Sequence, residues 1–422
     1  MRKGIYRNII FFILILSLLQ ANCFAIGDGS TVEDISTSIA LTEYNLYIVN
    51  SKNELLVCGV ADKYTDADKA GGLQRANETI QTTLKIVMED VVSVSTVEDA
   101  SHVFIIKTDG SLWGWGFNNN NPLIPGGMLG LGEDIKCVDT PTKLMDDVYS
   151  VSTSYNHTVA LKRDGSLWKW GRLSSGASAV PVKIADNVRF ATVGDSYSSN
   201  ILAIKEDNSL WVSGNHTVFP YETMEPGKMG YYNGELTKII DGVKTVASLY
   251  GSNFVIKQDD SLWSWGKDTT GQLGNGGKYE LRGGESYFDN PVYKVYTYQR
   301  TPIKILENVK RIIPASSKIY AFTSYDQLWV WGDSWRAEAE RTAEGTKIIK
   351  TLESEKTIPR KASEDFSYIS RNGNSSVKLK NDGTVWVEGN NEYGQLGTGN
   401  TENVESYIKI LSGGIAGQPE YE

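Results

Sequence analysis

The sequence is poor in the residues that usually do chemistry. It has 3 His and 3 Cys among 422 residues. Separated histidines without cysteine or acidic partners at ligand spacing do not build a zinc site. "DADKAG" (66–71) opens like a calcium loop, but Ala70 and Asn77 stand where an oxygen ligand and the closing Glu belong. No metal and no cofactor is therefore expected. G-x-S-x-G, H-E-x-x-H, the phosphate-cradling G-x-x-x-x-G-K-[ST] and C-x-x-C are absent, so the motifs give no reason to expect an enzyme. Basic charge is short as well: 42 Lys+Arg face 51 Asp+Glu, a net charge of −9. Nucleic-acid binders need a basic surface, and this balance argues against DNA or RNA as partner.

Long apolar runs are missing except at the start. Arg2, Lys3 and Arg7 lead into an apolar run from Ile9 to Leu19 broken only by Ser17, and Cys23 and Ala25 follow at the small-residue positions of a cleavage site. That pattern is a secretory signal peptide over residues 1–25. The alternative is a retained anchor, but a spanning helix needs about 20 apolar residues. Cleavage takes three bases and no acid, which moves the net charge from −9 to −12. The mature chain is expected to be a monomer outside the cell or at the envelope, with no membrane span. Cys58 and Cys137 remain, too few for a disulfide framework.

Gly (41), Tyr (22) and Trp (11) are plentiful, a composition of short strands and turns. The tryptophans fall in a repeat: "DGSLWGWG" (109–116), "DGSLWKWG" (164–171), "DNSLWVSG" (207–214), "DDSLWSWG" (259–266), "YDQLWVWG" (325–332), "DGTVWVEG" (382–389) and a worn "KNELLVCG" (52–59). The closing glycines, Gly59 to Gly389, lie 55 residues apart on average. Two alternating segments precede each copy; a variable loop and a segment such as "TPTKL" (140–144) follow. Four short strands per repeat predict an all-β, seven-bladed β-propeller over 26–412, with 413–422 as a C-terminal tail.

The second turn position holds Asn53, Gly110, Gly165, Asn208, Asp260, Asp326 and Gly383, the residue types that tolerate positive φ in a tight hairpin. Residues two apart in a strand share a face, so both tryptophans of a copy should fill the wedge between blades. His102 and His157 recur at one repeat position, which marks them as structural. Cys58 stands where a core Trp usually does and should be a buried thiol.

The D-G-x-[LV]-W-x-W-G repeat, with "GQLG" at 271–274 and 394–397 and variants "GMLG" (127–130) and "GKMG" (227–230), resembles the regulator of chromosome condensation repeats over residues 30–412. That resemblance implies a seven-bladed propeller. The first copy departs from it, with Leu56 and Cys58 replacing both tryptophans. The family's eukaryotic founder is a nuclear exchange factor for a small GTPase, which an acidic chain with an export signal does not fit. A secreted bacterial member inhibits β-lactamases through loops on one face, so the resemblance implies an extracellular protein partner, with a β-lactamase-like enzyme as one candidate.

The loops after the closing glycine share a repeat position and should emerge on one face. They carry Phe117, Phe219, Tyr221, Tyr231, Tyr232, Tyr287, Phe288, Tyr293 and Trp335, the candidate partner-binding anchors. The plain alternative is that these aromatics only hold their own loops together. Two other functions stay open: an enzyme with carboxylates assembled in the central channel, and a purely structural envelope protein.

Overall fold

The computed structural model describes residues 39–60, 64–65, 74–75, 80–96, 102–118, 127–155, 157–173, 176–194, 200–213, 235–249, 251–268, 270–276, 297–315, 318–325, 327–332, 335–342, 345–352, 354–372, 374–414 and 417–420. The signal segment, His216, "DADKAG" and most of the candidate aromatics lie outside them.

The repeat becomes the blade. In the third blade the strands Val148–Thr153, His157–Lys162, Leu167–Leu173 and Gly176–Ala185 pair antiparallel in sequence order. Seven such sheets follow one another, a seven-bladed β-propeller. The first strands of successive blades touch around the ring, and those of the seventh and first blades, Tyr368–Asn372 and Ile39–Leu41, meet. First strands are therefore innermost. Fourth strands form the rim: Ile80–Met88 is mostly exposed, whereas Asn45–Val49 is buried throughout.

Closure uses packing rather than strand exchange, because each sheet is built from consecutive chain. Leu46, Ile48, Leu56 and Cys58 of the first blade share one core with Val377, Leu379, Val385 and Leu411 of the seventh. The Tyr368 hydroxyl donates to the Ile39 carbonyl at 2.7 Å. Beyond the seven sheets, a hairpin of Trp335–Thr342 and Gly345–Leu352 is inserted in the sixth blade, whose fourth strand, Arg360–Ala362, has only 3 residues. The tail pairs back as Gly417–Glu420 on the seventh blade.

The turn reading holds: Asn53, Gly110, Gly165, Asn208, Asp260 and Gly383 all have positive φ, and Asp326 is outside the described residues. A second set, Asp90, Asp147, Asn187, Gly242 and Asn308, has positive φ in the turns from rim strand to next inner strand. The closing glycine is required twice over. Gly389 has φ of 109°, and a Cβ there would lie 1.9 Å from the Asn374 carbonyl oxygen.

The tryptophans divide, correcting the expectation that all ten are core. The second of each pair is buried: Trp115, Trp170, Trp265 and Trp331 each pack against the preceding blade. The first is only half-buried at Trp113, Trp168, Trp211, Trp263, Trp329 and Trp386. It lies near the short turns at the edge of the wedge, and a polar chain holds it. The Trp168 indole N–H donates to Ser166 Oγ at 3.0 Å, and that hydroxyl donates to Asp164. The chain repeats at Trp113, Trp211, Trp263 and Trp386. A lysine at or just past the end of the second strand lies over five of these rings, as Lys380 does 3.9 Å from the Trp386 centroid. In the sixth blade Gln327 replaces the Ser, and the buried Trp329 Nε1 has no partner.

Candidate functional site

Strand direction sorts the connections between the two ends of the ring. The short turns, both kinds with positive φ, are at one end. There Asp109, Asp164, Asp207, Asp259 and Asp382 accept from a Ser or Thr hydroxyl, which holds their carboxyls below the usual range. Rim lysines pair with the acids beside them: Lys143–Asp146 at 2.6 Å, Lys183–Asp186 at 2.5 Å, Lys238–Asp241 at 2.7 Å, Lys304–Glu307 at 2.9 Å. These pairs are solvent-exposed and add little stability. All the long connections are at the other end, the candidate binding face.

Two kinds of contact order that face. The first sits two residues past the closing glycine. Buried Asn118 accepts the Leu129 amide at 2.9 Å and donates to the carbonyls of Gly132 and Ile135 at 2.6 and 2.7 Å. Asn391 accepts the Leu396 amide at 2.8 Å and donates to the carbonyls of Asn400 and Glu402 and to Thr398 Oγ1. Asp268 takes the same place in the fifth blade. The sequence reading missed these three, although their fixed offset from the closing glycine was a usable signal.

The second contact ties the loops of the second, fifth and seventh blades to the next blade. The Trp170 indole donates to the Met128 carbonyl at 2.8 Å, and Trp331 donates to the Gln272 carbonyl at 2.7 Å. Both carbonyls belong to the second residue of a G-x-L-G segment. The final glycine of that segment leaves room for the ring: a Cβ on Gly274 would lie 2.8 Å from Trp331 Nε1. Cys58 extends the pattern, its thiol 3.6 Å from the Gln395 carbonyl and its final glycine, Gly397, against the sulfur. Burial pushes that thiol up to about 12, so it stays protonated and able to donate.

At two seams the G-x-L-G segment and the buried indole of the next blade are absent together. The third blade's loop has none, and Ser213 stands in the fourth blade; the sixth has none, and Glu388 stands in the seventh. The third-to-fourth seam opens at the rim into a groove of about 410 Å³ lined by Ile184, Ala185, Lys205, Trp211, Glu235 and Leu236. At the sixth-to-seventh seam a polar cluster takes the indole's place: Tyr407 and Ser376 hydroxyls are 2.6 Å apart, and Arg371 is 3.8 Å from Glu388.

The predicted anchors fare unequally. Phe117 is not in a loop: it ends the strand Leu112–Phe117, half-buried opposite Cys137. Trp335 opens the inserted hairpin, opposite Leu352. Phe219, Tyr221, Tyr231, Tyr232, Tyr287, Phe288 and Tyr293 lie outside the described residues. His102 and His157 are fully buried and structural. His102 Nε2 is 2.6 Å from Thr153 Oγ1, His157 Nδ1 is 2.9 Å from Ser154 Oγ, and burial lowers both imidazoles to about 4.

Among the described residues no three His, Cys, Asp or Glu come together as metal ligands. The seven innermost strands contain no Asp or Glu.

Comparison with known proteins agrees with this architecture. The model of the regulator of chromosome condensation (RCC1) repeat matches residues 382–410. Human E3 ubiquitin-protein ligase HERC2 is 22% identical over 369 residues, 79% of this chain. The mitochondrial RCC1 domain-containing protein RUG3 of Arabidopsis thaliana is 23% identical over 313 residues, 69% of this chain. The chain spans only 7% of the length of HERC2 and 64% of RUG3. Among solved structures, Prp20p of Saccharomyces cerevisiae, described with its binding to Gsp1p and histones, superposes with a TM-score of 0.56 at 16% identity, over 89% of this chain and 87% of that one. Human WBSCR16 gives 0.54 at 15% identity, over 82% and 88%. The family model covers one of the seven repeats and the solved structures share the fold, so the chain is a seven-bladed β-propeller whose repeats are similar to those of the regulator of chromosome condensation.

Proposed function

We propose that this protein is an exported scaffold that binds another extracellular protein through its loop face. The observation that carries the reading is the confinement of variation to one end of the ring. The short turns repeat the same polar chain from blade to blade, while the opposite connections differ in length and sequence. A ring that fixes both ends of each loop lowers the ordering cost of binding. The related yeast propeller Prp20p binds proteins, Gsp1p and histones. The acid excess of the chain favours a basic partner and an association rate that falls as salt rises. Phe117, Phe219, Tyr221, Tyr231, Tyr232, Tyr287, Phe288, Tyr293 and Trp335 are the proposed anchors.

The test is capture from the native secretome, with a purified β-lactamase as a defined second probe. The intact protein is compared with a Tyr287→Ala/Phe288→Ala/Trp335→Ala variant. A partner held by aromatic anchors should lose at least about tenfold in affinity in the variant. Equal retention by both forms, or none by either, removes the loop-face reading and leaves a structural role in the envelope.

A further inference from the structure

The seam between the third and fourth blades has a space where its sister seams have an indole. At three of those seams the last two residues of a rim strand share a core with a buried tryptophan of the following blade. Leu144 and Met145 do so with Trp170, Ile239 and Ile240 with Trp265, and Ile305 and Leu306 with Trp331. Ile184 and Ala185 hold that place in the third blade, and Ser213 stands in the indole's position. The covering segment is absent too. At the second-to-third seam Gly130 lies close against Pro181 and the Trp170 ring. The third blade's last two strands pair out to Leu173 and Gly176, so its hairpin closes without such a segment. With neither indole nor loop to fill it, the seam keeps the groove of about 410 Å³.

The walls of the groove are of two kinds. Ile184, Ala185, Leu236 and the half-buried Trp211 ring are apolar, and Lys205 and Glu235 add one charge of each sign. Lys205 Nζ lies 4.1 Å from the Trp211 ring centroid. Neither that ammonium nor the Glu235 carboxylate is in an ion pair. Asp207, the acid of the hairpin that follows Lys205, already accepts from the Ser209 hydroxyl and amide. An apolar slot between an unpaired cation and an unpaired anion is complementary to a ring with charged neighbours of both signs. Aromatic anchors seated in such pockets carry much of the energy of protein–protein contacts.

We propose that this groove is a docking site for an aromatic side chain of a partner protein, flanked in the partner's sequence by one acid and one base. The ring takes the place that an indole fills at the sister seams, against Ile184, Ala185 and Leu236. The acid pairs with Lys205 and the base with Glu235. The site is at the rim, apart from the loop-face anchors, and its test needs none of them.

The intact protein is titrated into two blocked peptides, acetyl-Gly-Asp-Trp-Lys-Gly-amide and acetyl-Gly-Lys-Trp-Asp-Gly-amide, with binding read by saturation-transfer NMR. At least one order should bind, and alanine in place of the peptide's tryptophan should weaken it by about tenfold or more. Ser213→Trp puts the protein's own indole into the groove and should abolish binding. Glu235→Gln, a change at an exposed position, should weaken binding about two- to fivefold. Failure of both peptides to bind overturns the proposal, as does binding that Ser213→Trp leaves unchanged. Self-association that Ser213→Trp removes would assign the groove to a second copy and overturns it as well. If Ser213→Trp does not fold, Ala185→Leu, which restores the bulk found at Met145 and Leu306, is read in its place.

Discussion

At the scale of single residues, the repeat supplies its own controls. Trp329 is the one first-position indole whose N–H has no partner, and it is the one whose blade has Tyr325 and Gln327 where the others have Asp and Ser or Thr. A buried unmatched donor costs about 1–3 kcal/mol. Tyr325→Asp/Gln327→Ser should rebuild the chain and raise the urea midpoint, by about 1 kcal/mol of stability. A midpoint at or below wild type would mean that the sixth turn cannot adopt its neighbours' geometry. The buried histidines make a second prediction. Their folded values lie near 4, below the ordinary 6.5. As pH falls through that window the unfolded chain takes up protons that the folded chain refuses. Stability present above pH 6.5 is lost toward pH 4, by about 3 kcal/mol per histidine. Asp268, raised to about 6, acts in the opposite sense over the lower part of that window. Asn45 and Asn200 occupy the corresponding positions, so His102→Asn/His157→Asn should fold and lose less stability between pH 7 and 4.5. Urea midpoints at the two pH values check this; an unchanged acid loss would place its cause elsewhere.

At the scale of elements, strand and loop differ in how legible they were. The hairpin turn could be read because seven copies sample Gly, Asn and Asp at one position, which exposes the demand for positive φ. The pairing of Trp with Trp misled, because spacing gives the face of a strand and not its depth in the wedge. Trp168 and Trp170 share a face, yet one is half-exposed and the other buried. Loop aromatics were read from their place after the closing glycine, and Phe117 proved to be the end of a strand. What the sequence does hold is the G-x-L-G of the second and fifth blades ahead of the indole of the third and the sixth, visible only when copies are compared out of step. That arrangement predicts a double effect. Trp331→Ala should cost about 3–5 kcal/mol of stability. It should also release the Gln272 carbonyl and make residues 271–276 easier to cleave by protease in the folded state. Stability loss without faster cleavage there would reduce the indole to simple filling.

At the scale of the whole molecule, the fold was legible because one requirement is written seven times, whereas each binding loop is written once. Ring closure follows from the cluster that joins residues 39–58 to 377–411. Deleting 382–422 removes that face and leaves two blades without a neighbour. Calorimetry should then show no single cooperative transition; an unchanged melting profile would mean that the arc folds without closing.

The contacts between indole and preceding loop also give the ring unequal tensile strength. They are directional, the second blade's loop holding the third blade and the fifth blade's loop the sixth, and no indole stands in that place at Ser213 or Glu388. Pulled from opposite sides, the molecule should yield first at those two seams. It would part into an arc of the fourth to sixth blades and an arc running from the seventh through the third. The scaffold is one circle in topology and two segments in mechanics.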